Sequence, residues 1–124
     1  MLSDIYYFID DRGGNPVEAF IKSLPIKERE KILAYLVELL NQGHNLRRPM
    51  ADYLESGVYE LRPKKNRVFY FFFLKDKAVL VHAIKKTTKE IPENDLKLCV
   101  KRKFLVEEGS QKLERLEFGG ESNG

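Results

Sequence analysis

The chain has 124 residues, 43% hydrophobic and 33% charged, with a net charge of +3, which is the make-up of one globular domain with little room for a second. Its one cysteine, Cys99, excludes an internal disulfide and suits a reducing compartment. No apolar run approaches the roughly 20 residues that span a bilayer, and the opening Met1-Leu2-Ser3-Asp4 lacks the pattern of a signal peptide, so a cytoplasmic protein with no membrane partner is expected.

Ile5 to Ile9 is β-branched or aromatic and runs into Asp10-Asp11-Arg12-Gly13-Gly14, a strand followed by a turn. Asn15-Pro16-Val17-Glu18 starts a helix: Asn15 can cap, Pro16 suits the first helical position, and Glu18 sits where a capping box wants a carboxylate. That helix should end near Leu24, before Pro25. A second, from Ile26 to about Asn41, places Ile32, Leu33, Leu36, Leu39 and Leu40 on an apolar face and Lys27, Glu28, Glu30, Lys31 and Glu38 opposite, with Gly43 as its C-terminal cap. Residues 43 to 57 have loop chemistry.

The period then changes to two. Val58 to Arg62, Arg67 to Leu74 and Ala78 to Ile84 read as three strands joined by short turns, an antiparallel meander. The middle strand is apolar on both faces and belongs inside the sheet. Pro92 opens a last helix to about Val106, with Leu96, Cys99, Val100 and Phe104 as its buried stripe. The expected fold is α+β in the order β-α-α-β-β-β-α, a domain over residues 1–108 and a flexible tail over 109–124.

Charge is segregated. Residues 61–89 hold nine basic side chains and one acid, Asp76, a net of +8 that leaves the rest of the chain at −5. Such a window either draws a polyanion to one face or serves as a solvated surface. Other chemistry finds less support. Two histidines and one cysteine, widely spread, do not make a zinc set, and Asp10-Asp11 before Gly-Gly is a turn rather than a Mg²⁺ site. Cys99 on an apolar helix face reads as a small buried hydrophobe. Gly13-Gly14 matches no phosphate-binding loop. His82 alternates with Leu80 and Ile84, opposite Val81 and Ala83, as a core histidine or a base close to Lys85-Lys86.

The basic hairpin stands out. Glu60 and Arg62 share a strand face, and Arg67 begins the next strand just past the turn carrying Lys64 and Lys65, so the two arginines should meet across it. Lys85-Lys86 leaves the neighbouring strand at the same end. Four stretches of sequence thereby converge where two guanidiniums can grip a phosphate bidentately.

Leu61-Arg62, four residues, then Arg67-Val68-Phe69-Tyr70 resembles the core of the RelE/HigB toxins of type II toxin–antitoxin systems. Asn15-Pro-Val-Glu-Ala-Phe20, Leu39-Leu-Asn-Gln-Gly43, Val58-Tyr-Glu-Leu-Arg62, His82-Ala-Ile-Lys-Lys-Thr87 and the helix after Pro92 are similar to the phage-derived HigB branch, over about residues 4 to 106. The resemblance implies an endoribonuclease that cuts messenger RNA on the ribosome without cofactor or metal, by attack of the ribose 2′-OH on the adjacent phosphate. By motif position it implies Arg67, Arg62, Lys85 and Lys86 as catalytic residues and Lys64, Lys65, Lys89 and His82 as RNA contacts. It also implies a helix-turn-helix, HigA-like antitoxin as partner. The chain departs from the pattern in having Val58 and Glu60 where many relatives carry a lysine or other functional side chain. No tyrosine follows Tyr70, so a C-terminal tyrosine has no counterpart. The general base stays open among Lys64, Lys65, Glu60 and His82. The same fold carries ParE-type gyrase inhibitors that cut nothing, and a decayed relative would bind without cleaving.

Overall fold

The computed structural model describes residues 1–118. It is α+β, with β1 (Asp4–Phe8), α1 (Pro16–Lys22), α2 (Ile26–Gln42), a 3-10 turn (Gly43–Asn45), β2 (Ala51–Glu55), β3 (Val58–Leu61), β4 (Asn66–Phe73), β5 (Lys77–Lys85), α3 (Glu93–Glu107) and β6 (Leu113–Arg115). The strands form one six-stranded sheet in the order β2-β3-β4-β5-β1-β6. β2 to β5 are an antiparallel meander, β1 lies parallel to β5, and β6 pairs antiparallel with β1. No helix among the described residues is long and apolar enough to cross a membrane.

Local chemistry explains the helix boundaries. The Asn15 side chain accepts a hydrogen bond from the Glu18 N–H at 3.1 Å, and Pro16 occupies the first turn, where its missing N–H costs nothing. α2 stops at Gly43, whose positive φ of 54° suits glycine and where a Cβ would press on Leu2 at 3.3 Å. β4 is the sheet's spine. Val68 and Tyr70 face one core with Val17 of α1 and Ile32, Leu36 and Leu39 of α2, while Phe69 and Phe71 face a second with Cys99 and Val106 of α3. Burial pushes the Cys99 thiol up to about 12, so it stays protonated and inert at neutral pH.

Several expectations are corrected. The segment 43–57 is not all loop: Ala51–Glu55 is strand β2, joined to β3 by the two-residue turn Ser56-Gly57, both with positive φ. That is the geometry tight hairpins favour, because its twist matches the strands' own. Nor is the segment from 109 wholly a flexible tail. Leu113–Arg115 adds β6 to the sheet, the Leu116 N–H donates to the Ile5 carbonyl at 2.8 Å, and Leu116 is buried; residues 119–124 of that expected tail lie outside the described residues. Leu33 and Phe104 are exposed, at 42% and 57%. α2 seats Ile32, Leu36 and Leu39 on the sheet, which turns Leu33 outward; α3 does the same with Cys99 and Val106, leaving Phe104 at its outer edge.

Leu116→Ala should lower stability by about 2 kcal/mol, the low end of large-to-small core changes, because its site lies at the sheet's edge. Urea unfolding checks it: a lower midpoint at unchanged slope is expected.

Candidate functional site

The β3–β4 turn and the C-terminal end of β5 meet at one end of the sheet. Pro63 accepts from the Asn66 N–H at 3.1 Å to close the turn, and the Lys86 N–H donates to the Lys65 carbonyl at 2.6 Å, continuing the ladder beyond the strands. Between them opens a groove of about 500 Å³ lined by Lys64, Lys65, Arg67, Lys85, Lys86, Thr87 and Thr88. No carboxylate lines it. Lys64 stands at the tip with φ of 59°, a conformation unusual for a residue with a Cβ. Lys75 and Lys77, which share the basic stretch of sequence, sit at the β4–β5 turn, the sheet's opposite end in an antiparallel pair.

Arg62 and Arg67 meet as the hairpin register requires, and both converge on Glu60. Arg62 Nη1 lies 3.2 Å from Glu60 Oε2, and Arg67 Nε lies 3.6 Å from Oε1. Arg67 is 7% exposed and Glu60 5%. Arg67 Nη1 also donates to the carbonyls of Lys64 at 2.7 Å and Asn66 at 2.9 Å. It therefore holds the turn from beneath and reaches the groove as its floor, not as a free arm. Burial raises the Glu60 carboxyl above its ordinary value and lowers Arg67, outweighing their mutual attraction. Glu60 Oε1 is buried without a hydrogen-bond partner, with Arg67 Nε 3.6 Å away.

Lys85 is answered from the other face of the sheet. Its Nζ lies 2.7 Å from Glu28 Oε1 in the first turn of α2, an oxygen that also accepts from Asn66 Nδ2 at 2.9 Å. The Lys85 hydrogen bond, then that of Asn66, holds the Glu28 carboxyl below its usual range. Glu28 and Asn66 carry no motif and lie 57 and 19 residues from Lys85, so only the fold reveals the cluster. Lys64, Lys65 and Lys86 form no salt bridge among the described residues, whereas Arg62, Arg67 and Lys85 do.

His82 is placed elsewhere. A bulge in β5 opposite Phe69 and Tyr70 breaks the alternation, so Leu80 joins the α1–α2 core while Val81 and His82 both turn toward α3. His82 Nε2 lies 2.7 Å from Asp95 Oδ1, and its ring stacks on Phe69 at 5.8 Å. It does not line the groove. Lys89 is exposed on the segment leading to α3 and also lies off the groove wall. Among the described residues, no three His, Cys, Asp or Glu side chains gather as a metal set.

The family model for phage-derived Gp49-like proteins (DUF891) matches residues 19–103. No curated protein matches the chain. The matched span contains every residue lining the groove, together with Glu60, Arg62 and Glu28; β1 and β6 lie outside it.

Two consequences are measurable. Because Glu60 binds its proton more tightly in the folded chain than in the unfolded one, the native state holds more protons between the two pKa values. Stability should therefore fall as pH rises from the ordinary glutamate range through the raised value. In Glu60→Gln that slope should vanish, whatever the absolute stability, in denaturant titrations across pH 4 to 8 taken as about that range. Lys64→Gly should keep thermal stability within about 1 kcal/mol or improve it, since glycine relieves the positive φ. The same variant should weaken heparin retention by removing a groove charge.

Proposed function

The chain belongs to the phage-derived Gp49-like family, one associated with RelE/toxin-like proteins, and on that premise we propose that it is the toxin of a type II toxin–antitoxin pair, an endoribonuclease that cuts messenger RNA on the ribosome. The observation that carries the reading is the groove at the β3–β4 end, which gathers five cations and two threonines without one lining carboxylate.

The reaction is attack of a ribose 2′-oxygen on the adjacent phosphorus, giving a 2′,3′-cyclic phosphate and releasing the 5′-oxygen, which takes up a proton. It needs fixed positive charge where the phosphorane develops, and a base and an acid for the two oxygens. Lys64, Lys65 and Lys86, free of acidic partners, supply the charge that meets the phosphate. Arg67 is the preorganised floor, and Arg62 and Glu60 hold it in place. The 5′-oxygen takes its proton from a groove ammonium, and the 2′-hydroxyl gives its own to a groove lysine in the neutral amine form, rather than to His82, which faces α3.

The concave form of the groove favours this reading over a gyrase inhibitor that binds without cutting, for which a convex basic face would serve. The partner that silences such a toxin would be a helix-turn-helix antitoxin, whose acidic segment fits the same charge.

The test is a primer-extension map of cellular mRNA after brief induction of wild type, Lys64→Ala/Lys86→Ala and Arg67→Lys. Arg67→Ala is unsuited, because it strips two carbonyls and a buried carboxylate of their partner, a loss of about 3–5 kcal/mol that unfolding alone would report. Cuts inside translated codons are expected from wild type. They should fall about 100-fold or more in the double lysine variant, which loses two charge-assisted contacts of roughly 1.5–3 kcal/mol each. Growth arrest with intact mRNA would turn the assignment to gyrase.

A further inference from the structure

A second cleft, of about 370 Å³, opens beside β2 and β3, where the segment after α2 folds against the sheet edge; His44, Arg47, Arg48, Asp52, Tyr53 and Tyr59 line it. Its aromatic wall is fixed in place. Tyr53 is 52% exposed, yet the Gly57 N–H donates to its hydroxyl at 3.1 Å and its ring meets Tyr59 edge to face at 5.1 Å. Tyr59 stacks in turn on Tyr70 at 5.4 Å, and His44 stacks on Phe72 at 3.8 Å. A solvated edge-strand tyrosine has no need of such bracing. A ring held this way binds a flat partner at little cost in conformational entropy.

The cleft's charge is equally selective. Arg48 is neutralised by Asp52 at 2.9 Å. Arg47 donates only to the carbonyls of His44 and Leu46, so its charge has no acid to answer it among the described residues. Rigid rings beside one uncompensated guanidinium suit a ligand that is both aromatic and anionic, which is the chemistry of a nucleotide.

The position of the cleft adds to this. Ala51, at the start of β2, pairs with Leu61 at the end of β3, and the Arg62 N–H donates to the Met50 carbonyl at 2.8 Å. The root of the cleft, at Ala51, therefore lies at the groove's end of the sheet, and its tyrosines run from there toward the β2–β3 turn on the α1–α2 face, so a strand joining the two would pass over the β2–β3 edge. Two strand spacings, about 10 Å, separate β2 from β4, a gap a short single strand can bridge.

We propose that the Tyr53–Tyr59–Arg47 cleft seats a base of single-stranded RNA whose backbone lies in the Lys64–Lys86 groove, so that it sets the nucleotide preference at the cut. The inference rests on the RNA reading of the groove. An uncleavable 2′-O-methyl hexanucleotide and an abasic backbone of the same length separate the two, with binding followed by fluorescence polarisation. Wild type is expected to bind the base-bearing strand about 5- to 150-fold tighter than the abasic one, the range of one base–aromatic stack. Tyr53→Ala and Tyr53→Leu should each bring that ratio close to one and leave abasic binding unchanged; the leucine variant retains apolar cover in case alanine unfolds the edge. A ratio that persists in both variants, or that is already one in wild type, overturns the cleft. Abasic binding indifferent to Lys64→Ala/Lys86→Ala overturns the groove reading alone, provided the Tyr53 variants still collapse the ratio. Wild type that binds neither strand overturns both.

Discussion

A guanidinium buried at the end of a sheet has to be answered by oxygen, and around Arg67 the chain supplies the carbonyls of Lys64 and Asn66 and the carboxylate of Glu60. That requirement organises the whole β3–β4 end. It draws the turn down over the strand and sets Lys64 and Lys65 at its tip. It also brings Arg62 alongside, because Glu60 has a second oxygen to share. Lys64, Lys65 and Lys86 can stay unpaired because the arginine beneath them carries the structural duty. Charge that stabilises the turn and charge available to a ligand thus reside on different residues, although the sequence presents them as one basic run.

The same end of the sheet is anchored from two sides. Toward α2, Lys85 and Asn66 share Glu28; toward α3, Arg62 and Arg67 share Glu60. Each acid sits back from the groove and neutralises the cations nearest the core. What remains positive is the rim. Electrostatic preorganisation of this kind spares a ligand the cost of ordering the site as it binds.

Much of this was legible in the residues. Period-two patterning placed β3, β4 and β5 to within a residue or two, and hairpin register alone put Arg62 beside Arg67. Asn15-Pro16 marked the start of α1 because capping chemistry is local. The failures have physical causes. β2 reads Ala51-Asp-Tyr-Leu-Glu55, an edge strand with many of its side chains in water, and only Ser56-Gly57 after it signals a hairpin. β6 is three residues long and exists only because β1 offers an open edge. Alternation puts His82 on the face of Leu80, but a single bulge, invisible to periodicity, sets the two on opposite faces. Glu28 could not be found at all, since its role depends on α2 crossing above the end of β5.

The sheet's strand order has a temporal meaning. β1 pairs with β5 through Asp4–Lys77 to Tyr7–Leu80, and its other edge is covered by β6. β1 and β6, the outermost of the described strands in sequence, are therefore neighbours in space, with the whole meander lying between them along the chain. Contacts of such long sequence separation form slowly. The basic turn, closed by contacts between near neighbours in sequence, can accordingly form well before the β1–β5 and β1–β6 pairings close the sheet behind it.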